Sequence, residues 1–229
     1  TLQMLLLIPG FRKHLPGLRT VIVDELHELL PSKRGLQLSL TLARLRAYSD
    51  FRVIALSATL RNPGRAASHL LNGGWEVIED TAAKRPVIRV AYVEGRDDQM
   101  RLKALVNELS SLMRGAKTLI FTNTRYMAEL LGSRLIDEDL SVAVHHGSLS
   151  KEERERVERA YREGRINAIV CTSSLELGID IGDTDLVVQI NSPRQVRKAV
   201  QRIGRSKHRY GESPRGCIVC TNRFEYEES

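Results

Sequence analysis

Val21-Ile22-Val23-Asp24-Glu25-Leu26-His27 is an apolar, largely β-branched run that ends in two adjacent carboxylates and a histidine. A second run, Val53-Ile54-Ala55-Leu56, ends in Ser57-Ala58-Thr59. Short apolar runs of this kind are typical of buried strands in parallel sheets, whose carboxyl ends share one edge. We therefore expect the acids and the hydroxyls to lie together at that edge.

Similar runs alternate with amphipathic stretches along the rest of the chain, which indicates an α/β fold with parallel sheets and crossover helices. We predict buried strands at 20–23, 53–56, 87–93, 118–121, 142–145, 168–171, 186–190 and 217–220. Helices are predicted at 35–47, with Leu36, Leu40 and Ala43 on one stripe, and at 100–113. A third helix should begin after the N-cap Ser150, with Glu153 completing a capping box, and end before Gly164.

The periodicity is interrupted between Gly73-Gly74 and Lys84-Arg85-Pro86 by turn and charged residues. We therefore expect two units, 1–84 and 85–229. The first unit offers two clear strands, whereas a doubly wound sheet usually has about five or six. We expect this first domain to be incomplete, with its missing strands before Thr1.

The composition is that of a globular chain with a basic balance. The 229 residues carry a net charge of +7, which favours a polyanionic partner such as nucleic acid. No apolar stretch approaches the roughly 18 residues of a membrane helix, so we expect a cytoplasmic protein. Three cysteines support neither a disulfide framework nor a zinc site, and Cys217 and Cys220 are typical of a buried strand.

The acids of the first unit suit phosphate chemistry. Asp24 could hold magnesium through water, while Glu25 could orient or deprotonate the water that attacks a terminal phosphate. Ser57 and Thr59 could hydrogen-bond the acidic cluster and sense the loss of that phosphate. The alternative is a strand capped by solvated acids, with hydroxyls that satisfy turn backbone groups.

The second unit carries polar groups after several predicted strands. Helix starts and arginines attract anions, so a nucleic-acid phosphate could dock there without any base being read. The candidate contacts are Asn123, Thr124, Arg125, Gly147, Thr172 and Ser173. The adjacent histidines 145 and 146 should point to opposite sides of their strand, which argues against a metal pair.

Two further stretches could face a nucleotide. Gly178 and Asp180 would approach the nucleotide or its arginine partner. The run Gln201-Arg202-Ile203-Gly204-Arg205-Ser206-Lys207-His208-Arg209 is dense in cationic groups, and Arg205 or Arg209 could neutralise charge on a transferred phosphoryl group. The alternative is that these charged residues simply form a solvent-exposed face, which is the usual role of such a run.

In their order along the chain, five of these strings resemble motifs II to VI of the superfamily 2 helicases: 24–27, 57–59, 121–125, 172–180 and 201–209. Ser192-Pro193 and Arg34-Gly35 look most like the large helicase-related (Lhr) family. The resemblance implies two RecA-like domains, ATP with magnesium, and 3′ to 5′ movement on single-stranded or partly duplex nucleic acid, usually DNA. His27 and Gln201 would then join Asp24 in the nucleotide site.

Two departures from the family pattern stand out. No GxxxxGK[ST] phosphate loop occurs in the sequence, so we expect a missing N-terminal segment and little or no ATPase activity from this chain alone. His208 stands where the family commonly has the last arginine of motif VI, and Arg209 lies next to it. A non-catalytic nucleic-acid-binding module and a nuclease that uses Asp24 and Glu25 are the alternatives.

Overall fold

The computed structural model describes residues 2–30, 32–57, 60, 62–70, 74–79, 85–176, 181–206 and 213–229. The chain divides into two compact units, Thr1–Thr81 and Ala82–Ser229. Each contains a parallel sheet, as the sequence predicted. None of the described helices combines the length and the apolar character needed to cross a bilayer.

The first unit contains a two-stranded sheet and short helices around it. Its strands are β1 (Thr20–Val23) and β2 (Arg52–Ala55), and its helices are α1 (Leu2–Leu5), α2 (Pro9–Arg12), α3 (Leu26–Leu29), α4 (Lys33–Arg46) and α5 (Pro63–Leu70). Val23 lies opposite Ala55 in the parallel ladder. The residues that follow the two strands therefore share one edge.

The prediction that β1 and β2 are buried is wrong for most of their residues. Among the eight strand residues only Val23 is buried. Val21, Val23 and Val53 pack against the helical core, whereas Ile22 and Ile54 are 64% and 40% exposed. Because successive side chains alternate across a strand, the two isoleucines project to the face opposite that core.

The stripe predicted for α4 is not the face that packs on the core. Leu36 and Leu40 are 67% and 56% exposed, and Ala43 is exposed as well. The buried positions include Leu42 and Leu45, which join the core with Leu38 partly buried beside them. Leucines occupy alternate positions from 36 to 42, so the sequence offers an apolar residue to either face of the helix.

The second unit is a six-stranded parallel sheet in the order β3-β8-β7-β4-β6-β5. Its strands are β3 (Val87–Tyr92), β4 (Thr118–Phe121), β5 (Val142–His145), β6 (Ala168–Cys171), β7 (Leu186–Ile190) and β8 (Arg215–Cys220). Its helices are α6 (Asp98–Leu112), α7 (Arg125–Asp137), α8 (Lys151–Arg162), α9 (Val196–Ile203) and α10 (Arg223–Glu227). Two apolar clusters, one with α6 and α7 and one with α8 and α9, cover the faces of the sheet.

The predicted strands are found close to their expected positions. Five have the predicted bounds, β2 begins and ends one residue earlier, β3 ends one residue earlier, and β8 begins two residues earlier. The burial predicted for β3 is wrong: it lies at the edge of the sheet, pairs with β8, and has no fully buried residue. The capping box of Ser150 and Glu153 at the start of α8 is confirmed.

Candidate functional site

A tight turn follows β1 and carries the two predicted acids. Asp24 is exposed, and its Oδ1 atom accepts the backbone N–H of Glu25 at 2.8 Å. Glu25 has a left-handed backbone, with φ 49° and ψ 44°, and the next amide, that of Leu26, donates to the carbonyl of Leu56 at 3.0 Å. A non-glycine residue in this left-handed conformation destabilises the folded state by about 1–3 kcal/mol, and such residues cluster at functional sites.

His27 joins this turn to the residue that follows β2. The ring is buried, and its Nδ1 atom lies 2.9 Å from the hydroxyl oxygen of Ser57. Its Nε2 atom lies 3.4 Å from Oε2 of Glu25 and 3.8 Å from Oε1 of Glu28. The hydroxyl predicted to bind the acids therefore contacts the histidine, which in turn faces Glu25.

The structure thus brings four of the five residues predicted for the first unit to one place. They are Asp24, Glu25, His27 and Ser57. Thr59 lies outside the described residues. The arrangement places a carboxylate pair and a buried histidine beside each other at the carboxyl edge of the sheet.

In the second unit the turn after β4 begins helix α7. Thr124 is the N-cap, and its hydroxyl oxygen accepts the N–H of Met127 at 3.2 Å. Arg125 follows as the first helical residue and is exposed. The side-chain amide of Asn123 donates to the carbonyl of Ser192 at 2.9 Å, which ties the ends of β4 and β7 together. A helix N-terminus with an adjacent guanidinium is a suitable place for an anion.

The next two segments of the carboxyl edge follow β5 and β6. Gly147 and Ser173 are exposed, and Thr172 is half-buried. The backbone N–H of Thr172 donates to the carbonyl of His145 at 3.3 Å, and a 3₁₀ turn at Ser173–Leu175 follows. These candidate phosphate contacts therefore lie on neighbouring strands of one sheet edge. Gly178 and Asp180 lie outside the described residues.

The two adjacent histidines point to opposite sides of β5, as predicted. His145 contacts Glu158 on α8, whereas His146 contacts Glu129 on α7. Burial lowers the pKa of His145 below its ordinary value of 6.5, although the hydrogen bond with Glu158 opposes that shift. The ring is therefore neutral at pH 7.

A buried arginine holds the motif VI segment. One guanidinium nitrogen of Arg202 donates to Oε1 of Gln189, and another donates to Oε2 of Glu176 at 3.3 Å. The guanidinium also lies 5.1 Å from the ring centroid of Phe121. All three polar side chains are buried, and Arg205 donates to the backbone carbonyl of Glu176 at 2.9 Å.

The sequence did not assign Gln189, Glu176 or Arg202 a role, although the latter two lie inside the quoted motifs. A buried cation needs a buried anion, so a partner for Arg202 could have been sought among the acidic residues. Glu176 lies 26 residues away, however, and no local sequence pattern links the two residues. Gln201 lies on α9 and is half-buried. Arg209 and His208 lie outside the described residues.

The three cysteines are buried and unpaired by disulfides. Cys217 and Cys220 lie in β8, as predicted for a buried strand. Burial raises the pKa of Cys217 to about 11 and also raises the pKa of Cys171. The thiols are therefore protonated at neutral pH, which makes them poor nucleophiles.

Two family models match the chain. Residues 1–66 match the DEAD/DEAH box helicase model, and residues 100–211 match the helicase conserved C-terminal domain. The chain is 38% identical to the ATP-dependent helicase Lhr-Core of Methanocaldococcus jannaschii, with 96% of this chain and 27% of that protein covered. It is 33% identical to the Lhr helicase/uracil glycosylase of Escherichia coli, with 98% of this chain and 18% of that protein covered.

A solved structure agrees with these sequence matches. The Mycobacterium smegmatis helicase Lhr bound to single-stranded DNA and AMP-PNP superposes with a TM-score of 0.83 and 34% identity, over 96% of this chain and 31% of that chain. This chain therefore spans 27% of the M. jannaschii protein, 18% of the E. coli protein and 31% of the solved M. smegmatis chain. The parallel α/β units are RecA-like. The chain belongs to the superfamily 2 DExH-type helicases and is most like the large helicase-related (Lhr) family.

Proposed function

We propose that the chain is part of an ATP-dependent helicase or translocase, which couples ATP hydrolysis to movement along nucleic acid. The observation that carries this proposal is the contact between His27 and Ser57. It joins the acidic turn after β1 to the hydroxyl turn after β2, so a change at a bound phosphate would reach the neighbouring loop. The relatives from M. jannaschii and E. coli bear helicase names, which supports the same reading.

ATP would be the nucleotide, and its proposed partners come from both units. Asp24 would hold magnesium through water, since an exposed carboxylate is a ligand that this ion prefers. Bound magnesium would neutralise charge on the phosphate oxygens. Glu25 would orient or deprotonate the attacking water, with His27 beside it. On the second unit Gln201, Gly178 and Asp180 would bind the nucleotide, and Arg205 or Arg209 would act as the arginine finger.

Nucleic acid would bind along the carboxyl edge of the second sheet through its phosphates. The proposed contacts are Asn123, Thr124, Arg125, Gly147, Thr172 and Ser173. All but Thr172 are exposed, and they follow the ends of three neighbouring strands. We propose single-stranded or partly duplex DNA as the substrate and 3′ to 5′ as the direction of movement. The M. smegmatis relative was solved with single-stranded DNA, which supports DNA as the substrate. We propose the cytoplasm as the compartment.

The test uses the complete gene product that contains this chain. We expect ATP hydrolysis that is stimulated by single-stranded DNA, and unwinding of a duplex with a 3′ tail in preference to one with a 5′ tail. ATP hydrolysis should fall to background when Glu25 is replaced by Gln, because the carboxylate that orients water is lost while the side-chain size is kept. Full activity of the Glu25→Gln protein would contradict the proposed role.

A second candidate is a nucleic-acid-binding module without catalysis. It is favoured by the absence of a GxxxxGK[ST] string from the 229 residues, since that loop supplies the amides and the lysine that hold the phosphates. For the same reason we propose little or no ATPase activity for the purified chain alone. If the complete gene product binds DNA in a salt-dependent way without any effect of ATP, the module is the correct reading.

A further inference from the structure

The end of β5 carries two histidines whose rings contact three different segments of the carboxyl edge. His145 contacts Ser174, which follows the candidate phosphate contacts Thr172 and Ser173. His146 contacts Glu129 on α7, whose first residue is Arg125, and also contacts the backbone of Ser148. The two residues therefore connect the segments that follow β4, β5 and β6.

The tautomer of His146 follows from its partners. The backbone N–H of Ser148 donates to Nδ1 of His146 at 3.3 Å, so the ring proton lies on Nε2 and is donated to the Glu129 carboxylate. In His145, Nε2 lies 2.9 Å from Oε1 of Glu158, and Nδ1 lies 2.8 Å from the hydroxyl oxygen of Ser174, which also donates to the backbone carbonyl of His145 at 3.0 Å. Both rings are buried, so each has a fixed orientation between two partners.

Gly147 gives independent reason to expect a ligand at the turn held by His146. A Cβ atom added to Gly147 would meet no atom of the described chain within 4 Å, and its φ is not positive. Neither packing nor backbone conformation therefore requires a glycine here. A glycine is needed when another backbone approaches closely, which fits a nucleic-acid phosphate at this turn.

Resting on the proposed nucleic-acid binding, we infer that His146 is a positioning residue, which orients the Gly147–Ser148 turn toward a nucleic-acid phosphate and holds that turn against α7. The Nδ1 atom fixes the turn through the amide of Ser148, and the Nε2 atom fixes the ring through Glu129. His145 holds the neighbouring segment after β6 in the same way. The ring of His146 is itself buried, so it would not contact the nucleic acid directly.

The test separates the two ring nitrogens. An Asn side chain places its oxygen near the position of Nδ1, whereas a Gln side chain reaches the position of Nε2. We expect the complete gene product with His146→Asn to bind a fluorescein-labelled single-stranded DNA nearly as the native protein does. His146→Gln and His146→Ala should weaken the dissociation constant about five- to tenfold, and tenfold corresponds to about 1.4 kcal/mol.

The difference between His146→Asn and His146→Gln gives a readout that a general loss of stability would not imitate, because both variants replace the same buried ring. The slope of log K against log salt falls by about 0.7 for each single-strand phosphate that a cation no longer neutralises. The Gly147–Ser148 turn carries no cation, so we expect the same slope for His146→Asn, His146→Gln and the native protein. Asp137→Ala is the matched control, since it removes another carboxylate of α7 whose surface ion pair with Arg134 lies at the far end of the helix.

The outcomes are distinguishable. Equal binding by all three His146 variants would overturn the inference while leaving nucleic-acid binding in place, and so would an equal loss in all three. If His146→Ala does not fold, the comparison of His146→Asn with His146→Gln carries the test, because Asn keeps the acceptor for the Ser148 amide and Gln does not. Stronger binding by His146→Asn than by His146→Gln supports the inference, and equal binding overturns it. If the native complete gene product binds no DNA, the proposed function itself fails.

Discussion

The Nδ1 atom of His27 lies 2.9 Å from the hydroxyl oxygen of Ser57, a residue 30 positions later in the sequence. The contact bridges the turns that follow two adjacent parallel strands. His27 also faces Glu25, so one buried ring touches both the acidic turn and the hydroxyl turn. A change in either turn must therefore be accommodated by the other.

Replacing Ser57 with Ala in the complete gene product should uncouple hydrolysis from movement. The acids remain in place, so we expect DNA-stimulated ATPase activity to stay within a few-fold of native while unwinding falls much further. The lost hydrogen bond should lower the free energy of unfolding by only about 1 kcal/mol. ATPase and unwinding assays on the same samples give the ratio of the unwinding rate to the rate of ATP hydrolysis. Ser49→Ala is the control, because its hydroxyl donates to the Leu18 carbonyl away from the acids. Equal losses of both activities would argue against coupling.

Replacing Arg205 with Ala should remove turnover without unfolding the protein. An arginine finger contributes about a thousandfold to a hundred-thousandfold in rate. The hydrogen bond that Arg205 donates to the Glu176 carbonyl contributes only about 1.5–3 kcal/mol to stability. Steady-state ATPase measurements on the complete gene product, with circular dichroism of the same sample, test this. Arg223→Ala is the comparison variant, since its surface pair with Glu227 is exposed. If the ATPase rate of Arg205→Ala falls by less than tenfold, Arg205 is not the arginine finger, and Arg209 is the next candidate.

Replacing Arg202 with Ala should instead unfold the second unit more easily. The change leaves the Glu176 carboxylate and the Gln189 amide buried without their cation. Breaking a buried pair by removing one partner costs about 3–5 kcal/mol. Urea titration should show a lower midpoint with an unchanged slope. Arg134→Ala, which breaks a surface pair with Asp137, should lower the free energy of unfolding by about 1 kcal/mol or less and so shift the midpoint much less. Similar midpoints for the two variants would contradict the assignment of Arg202 as a structural cation.

Acid should destabilise the second unit through His145. Its pKa is lowered in the folded state because burial outweighs the opposing effect of Glu158, and Arg154 lowers it further. Ser174 is its other polar partner. The unfolded chain therefore binds the proton more readily, so stability is fully present above about pH 6.5 and is lost as the pH falls below it.

Urea titrations between pH 8 and pH 5 measure this effect. The pH dependence should be weaker in a His145→Gln variant, which has no titrating ring, even if that variant is less stable at every pH. An identical pH dependence in the native chain and the variant would show that other groups are responsible.

Much of the fold followed from local sequence. Five strands have the bounds predicted from β-branched runs, because turn and charged residues end each run abruptly. The helix α8 followed from its capping box, which is a contact between residues only three apart. Strand bounds and helix caps depend on residues a few positions apart, so they do not depend on how the elements pack together.

The burial of α4 shows where local reasoning stopped. Leucines at alternate positions place apolar side chains on either face of the helix, and the predicted stripe with Leu36 and Leu40 is exposed while Leu42 and Leu45 form the core. The period of a helix states which residues share a face, but not which face meets the sheet. That choice depends on where β1 and β2 place the rest of the core.

The sequence by itself determined the order of the chemical groups and their location at the carboxyl ends of parallel strands, since strand and turn propensities act over a few residues. Only the tertiary structure decided which groups meet. The partners His27 and Ser57, Arg202 and Glu176, and His145 and Ser174 are 26 to 30 residues apart. Their contacts are set by the order of strands in each sheet and by helix docking, and no local spacing encodes either.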